Sequence, residues 1–169
     1  MAIRDVVKLP APVLRKKSSK VTDFGADFQT LVDDMIATMH HEPGVGLAAP
    51  QVNVPLRLIV VEYPEDETDE HAAPKLFVMA NPEFIELSEE KVSGIEGCLS
   101  VPNILGEVER SVALTVRGLN RHGKKQTVKA EGWLARIFQH EIDHINGILF
   151  VDRAERLFHP DEINTDQVV

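Results

Sequence analysis

Gln139-His140-Glu141-Ile142-Asp143-His144 places two imidazoles four positions apart, with a carboxylate directly after the first. On a helix, side chains at i and i+4 share a face, so His140 and His144 would clamp one divalent cation while Glu141 handles protons. That is equipment for activating water. The surrounding segment is apolar almost all round, with Trp133, Leu134, Ile137, Phe138, Ile142 and Ile145 covering most of a helix that begins at Gly132. A helix of that pattern is buried. Two histidines and a glutamate inside it cost about 2 to 7 kcal/mol per unsatisfied polar group unless something binds them. The plainer reading, a chance match on a solvated face, is weakened by Trp133 and Ile137 one turn away.

A catalytic site of this type takes three protein ligands and leaves a position open for water, so the third ligand decides the chemistry. The extended pattern HExxHxxGxxH has its glycine here at Gly147 but meets Phe150 where a third histidine would stand. Glu155 and Glu162 lie in a short acidic tail with little length to fold back. Cys98, the only cysteine, stands in Glu96-Gly97-Cys98-Leu99-Ser100. A thiolate with two imidazoles suits zinc, iron, cobalt or nickel. Against this, a lone cysteine is commonly an inert buried hydrophobe, and a thiol–histidine hydrolase would use the same residue types. The HExxH spacing fits a metal better than a dyad. Asp143 reads either as a carboxylate orienting a histidine or as an ion-pair partner on the far side of the helix. Glu96 reads either as a brace for the cysteine loop or as a partner of Arg110.

Gly44-Val45-Gly46-Leu47-Ala48-Ala49-Pro50-Gln51, then Glu96-Gly97-Cys98-Leu99-Ser100, then Gln139-His140-Glu141-Ile142-Asp143-His144 resemble, in order and spacing, the three signature motifs of peptide deformylases. The resemblance runs from Pro12-Val13-Leu14-Arg15 to Gly147-Ile148-Leu149-Phe150. It implies a metal held by Cys98, His140 and His144, Glu141 as acid and base, and Gln51 as a donor to the reacting oxyanion. It implies one divalent ion, with ferrous iron favoured and zinc, nickel or cobalt as alternatives. The substrates it implies are nascent formyl-methionyl polypeptides, with the ribosome as a further partner. Two other readings stay open: an HExxH-type metallopeptidase, which Phe150 speaks against, and an inactive or structural metal-binding homologue, which Glu141 and Gln51 speak against. The chain departs from the family at residues 103 to 106, which lack an arginine found near the substrate in some members. It departs again after Phe158, where the tail is acidic rather than a basic ribosome-docking helix.

The chemistry follows from the residues. A bound divalent metal brings the pKa of its water from about 16 toward roughly 7. Glu141, between Ile137 and Ile145 on an apolar helix, has its ionised form disfavoured, which suits a group that must accept a proton and return it. The oxygen of the attacked formyl carbonyl needs donors already in place, and the Gln51 amide and the Leu99 backbone N–H offer them. Gly44 and Gly46 let a peptide backbone approach closely and lie as an added strand, although Pro43 also makes an ordinary turn a sufficient reason for both. By analogy with the family, Val45, Trp133 and Ile137 are the candidates for a first side-chain pocket.

The elements that must position these groups are legible in part. Phe28, Leu31, Val32, Met35, Ile36 and Met39 recur at helical spacing. Leu56 to Val61 suits a buried strand, and Val112, Leu114 and Val116 alternate as a half-buried one. Asn120 to Lys124 turns into a further strand near Gln126 to Ala130, while Glu65 to Glu70 reads as an exposed acidic loop. The order predicts an α+β fold, antiparallel or mixed sheets packed around a buried central helix carrying the HEIDH motif. Residues 1–169 are of one-domain length. The longest apolar runs are too short for a membrane span. A net charge of −9 argues against a nucleic-acid surface despite Arg15-Lys16-Lys17 and Lys20, and Asp5, Pro10 and Pro12 fit a transit peptide poorly. The expectation is a cytoplasmic protein.

Overall fold

In the computed structural model of the chain, residues 1–162 are described. Residues 163–169, and with them most of the acidic tail, lie outside that range. In chain order the long elements are α1 (Ala26–His41), β1 (Gly46–Ala48), β2 (Leu58–Tyr63), β3 (Lys75–Leu87), β4 (Lys91–Cys98), β5 (Val101–Ser111), β6 (Ala113–Leu119), β7 (Lys125–Glu131) and α2 (Gly132–Ile145). A short helix α3 (Phe150–Arg153) and strand β8 (Arg156–Phe158) follow. One sheet has the order β1-β2-β3-β6-β7 and the other β4-β5-β8, with every strand pairing antiparallel. The architecture is α+β, as the sequence predicts.

Strand β2 shows why the two long helices take opposite faces of the larger sheet. Successive strand side chains point to opposite faces. Ile59 and Val61 pack with Leu134, Ile137, Phe138 and Ile142 of α2, whereas Leu58 and Val60 pack with Leu31, Val32, Met35 and Met39 of α1. Both faces being covered, β2 reads as an unbroken apolar run. Helix α1 buries the stripe foreseen from its spacing and ends with His40 and His41.

Helix α2 is buried from Leu134 to Ile145, and its remaining side meets the smaller sheet through polar groups. Gln139 accepts from Ser111 N (3.1 Å) and donates to Ser111 O (3.0 Å), fastening the helix to the end of β5. A third small core of Val101, Val108, Leu149 and Phe150 lies beneath β5 and α3.

The N-terminal arm ties these parts together. Ala2 N donates to Asp34 Oδ1 (2.7 Å), Arg4 N to Thr38 Oγ1 (2.9 Å), Val7 N to Gln51 O (2.8 Å) and Leu9 N to Ser100 O (3.0 Å). The arm thus spans from α1 to both loops that carry candidate site residues. Asp34 is its anchor, only 4% exposed. The Ala2 backbone N–H, with further help from Arg4, holds its carboxyl below the usual range against the opposing effect of burial.

A carboxyl whose folded pKa is depressed contributes stability above its unfolded pKa of about 3.9 and loses it as pH falls through the lower folded value. Asp34→Asn is therefore expected to be less stable than the parent at neutral pH, with the difference shrinking as pH drops below about 4. Urea midpoints measured across that range provide the check; a gap that stays undiminished in acid would contradict the assignment.

Candidate metal centre

Cys98 stands at the tip of the β4–β5 hairpin. It pairs with Val101 across the Leu99-Ser100 turn, after a register shift between Gly97 and Cys98 that turns the strand end. The turn is held from outside by the Leu9 N–H on Ser100 O. Helix α2 brings His140 and His144 to the same place: Cys98 Sγ lies 3.3 Å from His144 Nε2, and one donor atom from each of the three residues falls within 4.8 Å of the others. Bonds of about 2.0 to 2.3 Å to a tetrahedral ion imply donors roughly 3.3 to 3.8 Å apart, so the set closes on a cation with little adjustment.

The electrostatics favour such an ion. Burial pushes the Cys98 thiol up, but the charge of His144 and hydrogen bonds from both imidazoles outweigh it and hold the thiol well below its ordinary range. Burial likewise disfavours charged His140, yet hydrogen bonds to Cys98 and Glu96 hold its pKa well above normal. Both shifts favour a thiolate balanced by a proton on imidazole. A divalent cation can take that proton's place, releasing it, as thiolate–imidazole metal sites do.

Glu141 lines the same cleft, with Oε1 buried and without a hydrogen-bond partner among the described residues. Burial raises its pKa, opposed by the two histidines. Its carboxylate packs on the backbone of Gly46, where a Cβ would meet Oε2 at 2.5 Å; only glycine leaves room. Gln51 comes from the 3-10 turn Ala49–Val52 that follows β1. Its Oε1 accepts from Ala48 N (3.0 Å), and since a backbone N–H only donates, the amide nitrogen is forced to the other side, toward Cys98 Sγ (3.5 Å) and Ser100 Oγ (3.3 Å).

Behind His140 lies Glu96, fully buried. It accepts from His140 Nδ1 (2.9 Å), from Arg110 Nε (2.9 Å) and Nη2 (2.8 Å), and from Arg136 Nη1 (2.6 Å). Arg110 passes on to Asp143 (2.6 Å), which Arg153 also grips with two bonds. Burial works against ionised Glu96, but Arg110 and His140 overcome it and keep the carboxyl far below its usual range.

A sequence profile of the family described as polypeptide deformylase matches residues 3–159. The chain belongs to the polypeptide deformylase family. It is 51% identical over 157 residues to a peptide deformylase of Symbiobacterium thermophilum, covering 93% of this chain and 69% of that protein. It is 44% identical to one of Dehalococcoides mccartyi, covering 98% and 95%. Among solved structures, a peptide deformylase from Legionella pneumophila superposes with a TM-score of 0.81 at 43% identity, covering 91% of this chain and 87% of that one. A Met-Ala-Ser-bound class I type b peptide deformylase from Acinetobacter baumannii gives 0.82 at 39%, covering 90% and 98%.

Within this deformylase-family chain, Gly44, Val45, Gly46, Gln51, Cys98, Leu99, Trp133, His140 and Glu141 line one cleft, and His144 adjoins it through Cys98. Ile137 does not. It is 1% exposed and packs in the core against the larger sheet, because its position on α2 faces Ile59 and Phe77 rather than the cleft. Asp143 takes the ion-pair reading, touching Arg110 and Arg153 and neither histidine. Glu96 binds Arg110 as one of its two readings had it, and also orients His140, which the sequence reading did not foresee. No local spacing signalled this: Glu96 and Cys98 are two apart on β4, but the register shift between Gly97 and Cys98 breaks the strand's alternation.

Glu96→Ala would leave two buried guanidiniums short of their carboxylate, an expected loss of about 3 to 5 kcal/mol. With His140 no longer oriented, metal affinity should fall about 10- to 100-fold. Chelator competition and urea unfolding measure the two effects; a folded variant with unchanged metal affinity would show that Glu96 does not support the site.

Proposed function

We propose that this chain hydrolyses the formyl group from the N-terminal formyl-methionine of newly made polypeptides, giving formate and a free amino terminus. The observation that carries this is the orientation of Gln51: its amide N–H bonds are aimed into a centre of one thiol, two imidazoles and an unpartnered buried carboxylate. A merely structural metal site has no use for a free base or for an amide donor beside it. The Acinetobacter relative is described with Met-Ala-Ser bound, a peptide that begins with methionine.

Cys98, His140 and His144 would hold one divalent ion, which when bound supplies Lewis-acid polarisation and an acidified water. Glu141 receives a proton from the attacking water at Oε1, its raised pKa making the proton easy to hold and to return. Gln51 Nε2 and the Leu99 N–H donate to the carbonyl oxygen as it gains charge. Glu141 then gives its proton to the departing amine as the C–N bond breaks. Ferrous iron is the ion we favour, on the resemblance to the family alone, because a thiolate with two imidazoles also accepts zinc, nickel or cobalt.

The substrate's path follows from sheet topology. Strand β1 is one outer strand of the larger sheet and β4 one of the smaller, and both contribute to the cleft through Gly46 and through Ser93, Gly94, Ile95 and Gly97. The cleft, about 1370 Å³, holds several peptide residues. A formyl-methionyl chain would enter as an added strand, bound by backbone hydrogen bonds that ignore side-chain identity, with Val45 and Trp133 against the methionine. The whole chain acts as one catalytic domain in the cytoplasm, on polypeptides at the ribosome, without a nucleic-acid surface of its own. None of its helices in the described residues is long and apolar enough to cross a membrane.

Formate release from a formyl-methionyl dipeptide by anaerobically iron-loaded protein tests the reaction. Glu141→Ala should lose activity while keeping its metal, and Cys98→Ser should lose both. Gln51→Leu should lower kcat by about 100- to 1000-fold, the size of one oxyanion donor. No formate at full metal occupancy would overturn the proposal. A zinc-loaded enzyme as active as the iron form would overturn the choice of iron alone.

A further inference from the structure

Helix α2 carries His140, Glu141 and His144, yet its first turn is poorly finished by its own residues. Glu131 at the N-cap makes no side-chain cap, and no acidic residue occupies the first turn. The first four N–H groups of any helix lack partners within it. Here the missing acceptor arrives from the acidic loop far away in sequence: Glu67 Oε2 accepts from Trp133 N at 3.3 Å. Gly132, at φ +60°, gives the carboxylate its seat, since a Cβ there would overlap Glu67 Oε1. The loop is built to present this group. Asp66 Oδ1 accepts from Thr68 N (3.0 Å) and Asp69 Oδ1 from His71 N (2.9 Å), while Lys75 at the start of β3 pairs with Glu65 (2.9 Å).

The residue so capped is the one that lines the cleft from α2. Trp133 faces the cleft opposite Val45, with the Arg136 guanidinium 5.2 Å from its ring, and Tyr63, just before the loop, lines the same cleft. Burial, together with the charge of Glu67, raises the Tyr63 pKa.

We infer that Glu67 is a positioning residue that latches the acidic loop onto the N-terminus of α2 and thereby fixes Trp133 as the wall of the pocket for the substrate's first side chain. This rests on the deformylase reading of the cleft. The loop that looked like a solvated connection is then part of the specificity apparatus, acting through Trp133 without touching the reacting atoms.

Trp133 is the only tryptophan of the chain, so its emission reports on the latch directly. Glu67 is exposed, and its variants should fold. In Glu67→Ala we expect a red shift of Trp133 emission with stronger acrylamide quenching at unchanged metal content. We also expect KM for formyl-methionyl peptides to rise about fivefold, the size of a lost helix cap. The change should fall on KM rather than kcat, since uniform binding is what is lost. Glu67→Gln, which keeps an acceptor oxygen, should recover most of both signals. Unchanged emission in Glu67→Ala, or changed emission with unchanged KM, would overturn the inference. A parent protein that released no formate would instead bring down the deformylase reading, and the inferred pocket with it, whatever the fluorescence showed.

Discussion

The fold is organised around a carboxylate that has no contact with solvent. Glu96 would be too costly to bury as an isolated charge, and protonation is its usual escape. Here two guanidiniums and an imidazole make ionisation the favoured state instead. The partners come from two elements: Arg110 from β5, Arg136 and His140 from α2. The one group therefore fixes the rotation of the helix against the smaller sheet. It also fixes the tautomer of His140. With Nδ1–H donated to Glu96, a cation that displaces the other ring proton would meet the Nε2 lone pair, the arrangement that makes imidazole a good ligand. Arg110 extends the constraint to Asp143 and Arg153, so the helix is held one turn further along as well.

That hub also explains which parts of the site were readable beforehand. His140, Glu141 and His144 were legible because covalent spacing on one helix places them together with no help from the rest of the fold. The burial of α2 followed from its apolar circumference, and the stripe of α1 from its period. Partners separated by 14, 40 and 44 residues, as Arg110, Arg136 and His140 are from Glu96, leave no periodic trace. Which of the apolar positions on α2 faces the cleft was likewise beyond the pattern. Ile137 and Trp133 are both apolar and one turn apart, and only the placement of the larger sheet sends Ile137 to the core and leaves Trp133 at the cleft. Glu67 was invisible for the same reason: an acidic stretch between prolines reads as solvated until a helix end is found beneath it.

Two different constraints aim the chemistry at one point. The thiol is delivered by a two-residue turn whose register break rotates Cys98 out of the regular ladder, and the turn cannot drift because the N-terminal arm bonds to Ser100. Gln51 is delivered by a 3-10 turn that the same arm bonds at Gln51 O. The arm thus spaces thiol and amide relative to each other although it supplies no reacting group. Glu141 is set by exclusion instead, since it occupies the space that a side chain at position 46 would fill. Hydrogen bonding fixes two of the groups and steric room fixes the third. A carboxylate that must change protonation is better held by packing than by strong donors, which would lock it in its ionised form.

Open sheet edges are normally a hazard, inviting other chains to pair with them, and proteins blunt or cover them. In this chain two outer strands, β1 and β4, both line the one cleft. The hazard is limited by length, because β1 has three residues and cannot template a long partner. It is limited by place too, since the edges open into a cleft flanked by the N-terminal arm rather than onto a free surface. Under the deformylase reading, an extended segment entering between them would meet Glu141 of the buried helix α2, which lines the same cleft. The buried charges behind α2 hold the helix against the smaller sheet, so the constraint that orders His140 also holds in place the wall of the cleft that carries Glu141 and Trp133.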